Sequence, residues 1–440
     1  MKTQQNNRKA HLGRVLDLSI FTILILFLVV TVLTSGKANL QTDSLDYYTI
    51  LQRLTADRSR PIVDNLPFVE QRSPGYPILA MIPYYLTTAL IEPFVQTQTV
   101  SISPEPSATN PAQAPSEAMS FPPQPLLFKD VFFKDFSIGP QGSALTWKLL
   151  SSLLLTSYGF FFIGLFFVVK TLRLLDRPVW GAALAPLTVI TMPIFMHNLI
   201  NTPTYATLTA FGLSCVFGYF FVKGFVRKTR SAAYLSGLFL GLLVLTRLET
   251  ILLAGIVLIG LVLCKEYRFL RNVILGALLP AAMLLVYNAT QFGNPFHMGI
   301  LKGNINLILL DLRYIYLNTL NPQSGMLFWS MLGVIGILGL FLNRQPYSKI
   351  LGCASLGLIL LILVRVPIMD TCIGEGTKLI GGLPITCPNT LADLVSLIRS
   401  DANRYITVLV PFSILGLRSL ISLLPPLWNR VRARIQRNPA

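Results

Sequence analysis

Asp43-Ser44-Leu45-Asp46-Tyr47-Tyr48 places two carboxylates three residues apart, and on a helical turn that spacing gives them a shared face. A carboxylate at a membrane surface can act as general base on an acceptor hydroxyl when it lies within about 3 Å of that proton. The same residues suit a helix N-terminus, where Asp and Ser cap and acids meet the positive dipole end. Both readings stay open on spacing alone. Cations follow. In Gln71-Arg72-Ser73-Pro74-Gly75-Tyr76-Pro77 an arginine precedes a rigid turn; its planar fork suits a phosphate, and its stem equally suits the headgroup layer of a bilayer. Arg247 and Glu249 separate two apolar stretches, where ionisable groups are costly and face a polar cavity or each other. A mutual ion pair and a phosphate contact both fit. Gln291-Phe292-Gly293-Asn294-Pro295-Phe296 reads by itself as a turn, and Asn403-Arg404-Tyr405 as an interfacial anchor.

The elements that must position these residues cross lipid. Of 440 residues 53% are hydrophobic and 12% charged, against about 25% charged in a soluble globular chain. Apolar blocks of roughly 18 to 22 residues match the length needed to cross about 30 Å of hydrocarbon. The net charge of +17 is not spread evenly. Segments 1–15, 170–178, 223–230, 265–272, 343–349 and 424–440 hold 20 Lys or Arg against Asp176 and Glu266, and the rest of the chain balances to −1. The positive-inside rule puts those segments in the cytoplasm, so the charge reports topology and not a nucleic-acid partner.

The expected fold class is therefore all-α and integral to the membrane, a polytopic bundle of about ten transmembrane helices. The spans fall at about 16–35, 146–169, 179–197, 204–223, 232–247, 250–264, 271–288, 325–342, 349–366 and 404–423. Both termini are expected in the cytoplasm of an inner (plasma) membrane protein. The first span is read as an uncleaved anchor, because its apolar stretch exceeds the 7 to 15 residues of a signal peptide. Residues 1–423 form one membrane domain, and 424–440 a basic tail. The domain includes a large outward loop, 36–145, in which Pro74–Phe94 reads as an interfacial or re-entrant helix. Residues 96–125, rich in Pro, Ser, Thr and Gln, cannot bury a core and read as a disordered insert. Cys372 and Cys387 share the last outward loop, where either a disulfide or two free thiols fits. His11, His197 and His297 are too scattered for metal-ligand spacing, so no cofactor is expected.

Taken in order, these pieces resemble the GT-C superfamily of membrane glycosyltransferases, in particular the protein O-mannosyltransferase and aminoarabinose-transferase-like branch. Asp43-Ser44-x-x-Tyr47 is similar to that branch's acidic motif after span one, and Arg72-Ser73-Pro74-Gly75-Tyr76-Pro77 to its Arg-Pro-Pro-Gly-Tyr-Pro turn. Gly237–Leu242 leading to Leu245-Thr246-Arg247, Tyr287-Asn288 through Phe296, and Arg404-Tyr405 with Pro411 complete the series. The resemblance implies that Asp43 is the catalytic base, with Asp46 as the second candidate. It implies a polyprenyl-phosphate sugar donor whose phosphate meets Arg72, Arg247 and Arg404, with Tyr76, Glu249, Asn294 and Tyr405 completing the substrate-binding set. The other partners are membrane lipid and a glycan, lipid or protein acceptor outside the cytoplasm. One departure stands out: many members carry a second acid at the outward end of span three, where this chain has Asn201-Thr202-Pro203. Two other readings are a lipid or sugar transporter, which would want polar residues at mid-span and internal repeats, and a non-catalytic membrane subunit.

Overall fold

The computed structural model describes residues 2–35, 42–55, 72–91, 147–175, 181–297, 319, 330–363, 378–380, 383–385 and 404–437. The insert at 96–125, Cys372 and Cys387 lie outside the described residues, as do the side chains of Asp43, Asn201, Arg404 and Tyr405.

Inside a bilayer every backbone N–H and C=O must be satisfied within its own segment, which favours helices. The described chain follows that rule. The helices are α1 (Lys2–Ser35), α2 (Thr42–Thr55), α3 (Gly75–Ile91), α4 (Trp147–Leu175), α5 (Gly181–Ile190), α6 (Pro193–Asn201) and α7 (Ala206–Arg227). After them come α8 (Arg230–Thr246), a 3-10 turn (Leu248–Thr250), α9 (Ile251–Leu263), α10 (Tyr267–Phe292), α11 (Met331–Leu342) and α12 (Pro346–Leu363). A 3-10 segment, Arg404–Leu409, leads into α13 (Val410–Arg437). Among the described residues five stretches are long and apolar enough to cross a membrane: Leu149–Leu175, Ala206–Arg227, Tyr267–Phe292, Pro346–Leu363 and Ile406–Leu423. Shorter apolar helices cover Leu18–Leu33, Arg230–Thr246, Leu248–Leu263 and Met331–Leu342. The chain is a helical membrane protein.

One expectation needs correction. The stretch 179–197 is not one continuous span: the helix breaks at Thr191-Met192, and Pro193 starts a second helix because its ring cannot continue the first. The described chain is helical, as expected, apart from Lys378–Ile380 and Leu383–Ile385, which pair as two short antiparallel strands.

Close helix approach depends on small residues. A Cβ on Gly237 of α8 would overlap the Val273 carbonyl of α10, and one on Gly276 of α10 would overlap the Tyr234 carbonyl of α8. Gly336 and Gly416 meet in the same way between α11 and α13. Without hydrophobic drive between lipid-solvated helices, such backbone contact is what holds them. Phe161, Phe195 and Phe211 fill the space between α4, α6 and α7, with ring centroids 4.8 to 5.9 Å apart.

The contacts define two ends. At one, Phe225 meets Phe269 at 5.5 Å and Tyr347 at 6.2 Å, and Lys228 reaches Glu266 at 2.5 Å. At the other, Gly75 lies against the backbone of Leu245 and Thr246. The 17 residues of α8 join the two, a rise of about 25 Å. One end carries the basic loops; the opposite end carries the candidate site.

Candidate functional site

Helix α2 has a buried polar edge and an apolar edge. Asp46, Thr49 and Gln52 are buried at three-residue spacing. On the other side Tyr47 and Leu51 pack with Tyr76, Ala80, Leu149 and Leu153, while Ile50 and Leu54 pack with Tyr287 and Phe292. This short helix is thereby wedged between α3, α4 and the end of α10, which fixes the direction of Asp46.

The turn Arg72–Gly75 joins that helix to the end of α8. Arg72 Nε donates to Asp46 Oδ2 at 2.8 Å, the arginine side chain 23% exposed and the aspartate 4%. The next residue, Ser73, accepts the Leu248 N–H on its Oγ at 3.1 Å. Gly75 follows, and here a side chain is excluded: a Cβ would lie 2.5 Å from Leu245 C and Thr246 N. Two motifs about 170 residues apart in the chain thus become one surface.

Arg247 sits where α8 ends, in an extended conformation with φ −142° and ψ 101°. Its carbonyl accepts the Thr250 hydroxyl at 2.7 Å and the Thr250 N–H at 3.0 Å. Those bonds fix the backbone and turn the side chain into the bundle. The guanidinium is buried, donates through Nη2 to Thr207 Oγ1 at 2.9 Å, and lies 3.8 Å from Glu249 through Nη1. Glu249 is the looser partner, with 30% of its side chain exposed. Val408 packs with Ala210, Leu213 and Leu243, so the backbone of the Arg404–Leu409 segment runs beside this same end.

Of the residues singled out in the sequence, Asp46, Arg72, Arg247 and Glu249 are brought together; the segment that begins with Arg404 and Tyr405 packs against α7 and α8 through Val408. Tyr76 is packed inside the fold. It is fully buried, its hydroxyl donates to the Leu153 carbonyl at 2.8 Å and hydrogen-bonds to Ser157 at 2.9 Å, and its ring meets Tyr47 edge-on at 5.1 Å. Burial pushes the phenol far above its ordinary pKa, so it remains a donor at physiological pH. It is a strut between α3 and α4. Replacing Tyr76 by Phe is expected to lower stability by about 1 kcal/mol, read as a lower unfolding midpoint, while leaving substrate affinity unchanged.

Asn294 is also committed to its own loop. Its Oδ1 accepts the Phe296 N–H at 2.9 Å, and the residue is exposed. Beside it, Asn288 Nδ2 donates to the carbonyls of Pro295 and His297 at 3.2 and 2.9 Å, closing the loop under α2. Ser73, Thr207, Thr250 and Asn288 carry these geometries, and none was marked by sequence as a contact. Ser73 and Asn288 had a signal, their positions inside the turn motif and the Tyr287–Phe296 motif; Thr207 and Thr250 had none. At the C-terminal end of α6, Thr202 donates to Asn198 Oδ1 at 3.1 Å, an arrangement of neutral groups.

Chemically the surface joins two guanidinium groups, on residues flanking the Ser73–Leu248 hydrogen bond, to a buried carboxylate already engaged by one of them. Such a site favours an anion with several oxygens. Among the described residues no three His, Cys, Asp or Glu side chains converge as metal ligands. Set against protein-family models, curated proteins and solved structures, the chain matches none of them. Its own geometry carries the reading.

Proposed function

We propose that the chain is a GT-C-type membrane glycosyltransferase that moves a sugar from a polyprenyl-phosphate donor to a lipid, glycan or protein acceptor outside the cytoplasm. The observation supporting this most is the docking of the Asp46–Arg72 turn onto the Arg247 end of α8, through Ser73 and Gly75. It pairs two cations with a carboxylate-bearing helix at the end of apolar helices, where a lipid phosphate would lie.

In this reading the two aspartates divide the work. Asp46 is held by Arg72 and serves to orient that guanidinium; an oxygen so engaged is a poor proton acceptor. Asp43, one turn earlier on α2, is then the base. It takes the acceptor hydroxyl proton as the acceptor oxygen attacks the anomeric carbon. The bond from that carbon to the phosphate oxygen breaks, its electron pair leaves with polyprenyl phosphate, and the configuration inverts. Arg72, Arg247 and Arg404 stabilise the charge that develops on the leaving phosphate. No cofactor has a part in this scheme.

The topology in this proposal has ten crossings, the third made by the broken pair α5 and α6 together, and both termini in the cytoplasm of an inner membrane. The basic loops lie inside, and α2 and α3 rest at the outer interface. Lipid extraction from cells lacking the protein tests the proposal. One polyprenyl-phosphate sugar should accumulate and one envelope glycan or lipid should lose a sugar; an unchanged profile of both would remove the reading.

A further inference from the structure

At the end remote from the candidate site, the loop between α7 and α8 meets the loop between α9 and α10. Lys228 and Lys265 both take the left-handed backbone conformation, with φ 53° and 58°, which turns each loop sharply. The Lys228 ammonium rests 4.8 Å over the Phe225 ring and joins Glu266 at 2.5 Å. That contact consumes the one carboxylate of the two loops. It also joins the loop flanked by Arg227 and Arg230 to the loop that carries Lys265 and leads to Arg268 and Arg271, all five exposed. The glycine contacts of α8 with α10, about two turns further along each helix, hold the two helices together beneath them.

Five cations on one exposed surface attract a polyanion, and the neighbouring side chains say which kind. Val226, Leu263, Tyr267 and Ile274 are 49%, 77%, 58% and 44% exposed within one turn of these cations. A cationic band beside exposed apolar and aromatic side chains matches the boundary between headgroups and acyl chains. A soluble polyanion would leave those apolar groups in water. We propose that Arg227, Arg230, Lys265, Arg268 and Arg271 form a binding surface for the phosphate headgroups of anionic phospholipids, held in shape by the Lys228–Glu266 pair. This surface is independent of the sugar-transfer reading.

The test uses the full-length protein extracted from vesicles of phosphatidylcholine and phosphatidylglycerol, with retained lipids counted by native mass spectrometry. Wild type should retain phosphatidylglycerol preferentially, and added salt should weaken the preference. The R227Q/R230Q/R268Q/R271Q variant should lose at least about tenfold of that enrichment, while the corresponding fourfold lysine variant should keep most of it. Equal retention of the two lipids by wild type, or undiminished preference in the glutamine variant, overturns the proposal. If the glutamine variant fails to insert, the unfolding midpoint of wild type decides. Phosphatidylglycerol should raise it and phosphatidylcholine should not; equal shifts count against the surface.

Discussion

Replacing Arg247 by glutamine is expected to reduce sugar transfer by about 10²- to 10³-fold, the usual loss when one preorganised group facing developing charge is removed. The protein should remain inserted. Arg247 is buried and held by Thr207 at 2.9 Å, so glutamine can keep a hydrogen bond to that hydroxyl while losing the charge. Glu249, 3.8 Å away and 30% exposed on its side chain, can be hydrated once its partner is gone, which limits the cost in stability. Lysine at this position should recover part of the activity, since it restores charge without the planar fork. Single-turnover rates on the purified variants, beside their unfolding midpoints, check the expectation. A glutamine variant with wild-type turnover would remove Arg247 from the phosphate site.

The second large effect is expected from Gly75→Ala. The added methyl would lie 2.5 Å from Leu245 C and Thr246 N, and those are backbone atoms that cannot turn aside as a long side chain would. Overpacking of this kind costs about 1 to 3 kcal/mol. The turn can relieve it only by lifting from α8, which breaks the Ser73–Leu248 hydrogen bond and separates Arg72 from Arg247. Unfolding midpoint and transfer rate should therefore fall together. Gly255→Ala in α9 is the control: a Cβ there meets nothing within 4 Å, and alanine favours the helix, so both quantities should hold or rise. Equal behaviour of the two variants would mean that the turn does not depend on this contact.

What could be read from the chain divides along physical lines. Apolar runs and basic loops were legible, because bilayer thickness and charge asymmetry act on local composition. Pro193 is the local cue to the break at Thr191-Met192, yet the stretch reads as one span because hydropathy does not register a helix end. The turn at Arg72–Gly75 and the Leu245–Arg247 end were each visible as motifs. Their contact was not, since pairing across about 170 residues is set by how α3 packs on α4 and α8. Tyr76 shows the reverse case. An aromatic after a Pro-Gly turn looks available for a ligand, but the Leu153 carbonyl and Tyr47 ring that enclose it come from elsewhere in the fold. Asn294 followed by Pro295 announced a turn, and its carboxamide serves that turn. Thr207 carried no pattern at all: a threonine in an apolar helix gains meaning only when a buried guanidinium faces it.

The most direct test of the central claim is release of polyprenyl phosphate from a radiolabelled polyprenyl-phosphate sugar in proteoliposomes holding the full-length protein and an envelope lipid or glycan extract. Wild type should release polyprenyl phosphate and label an acceptor. Asp43→Asn should do neither, and Asp46→Asn should retain a reduced rate through a less well held Arg72. A wild type that leaves every such donor intact, or an inserted Asp43→Asn variant with undiminished transfer, would contradict the account.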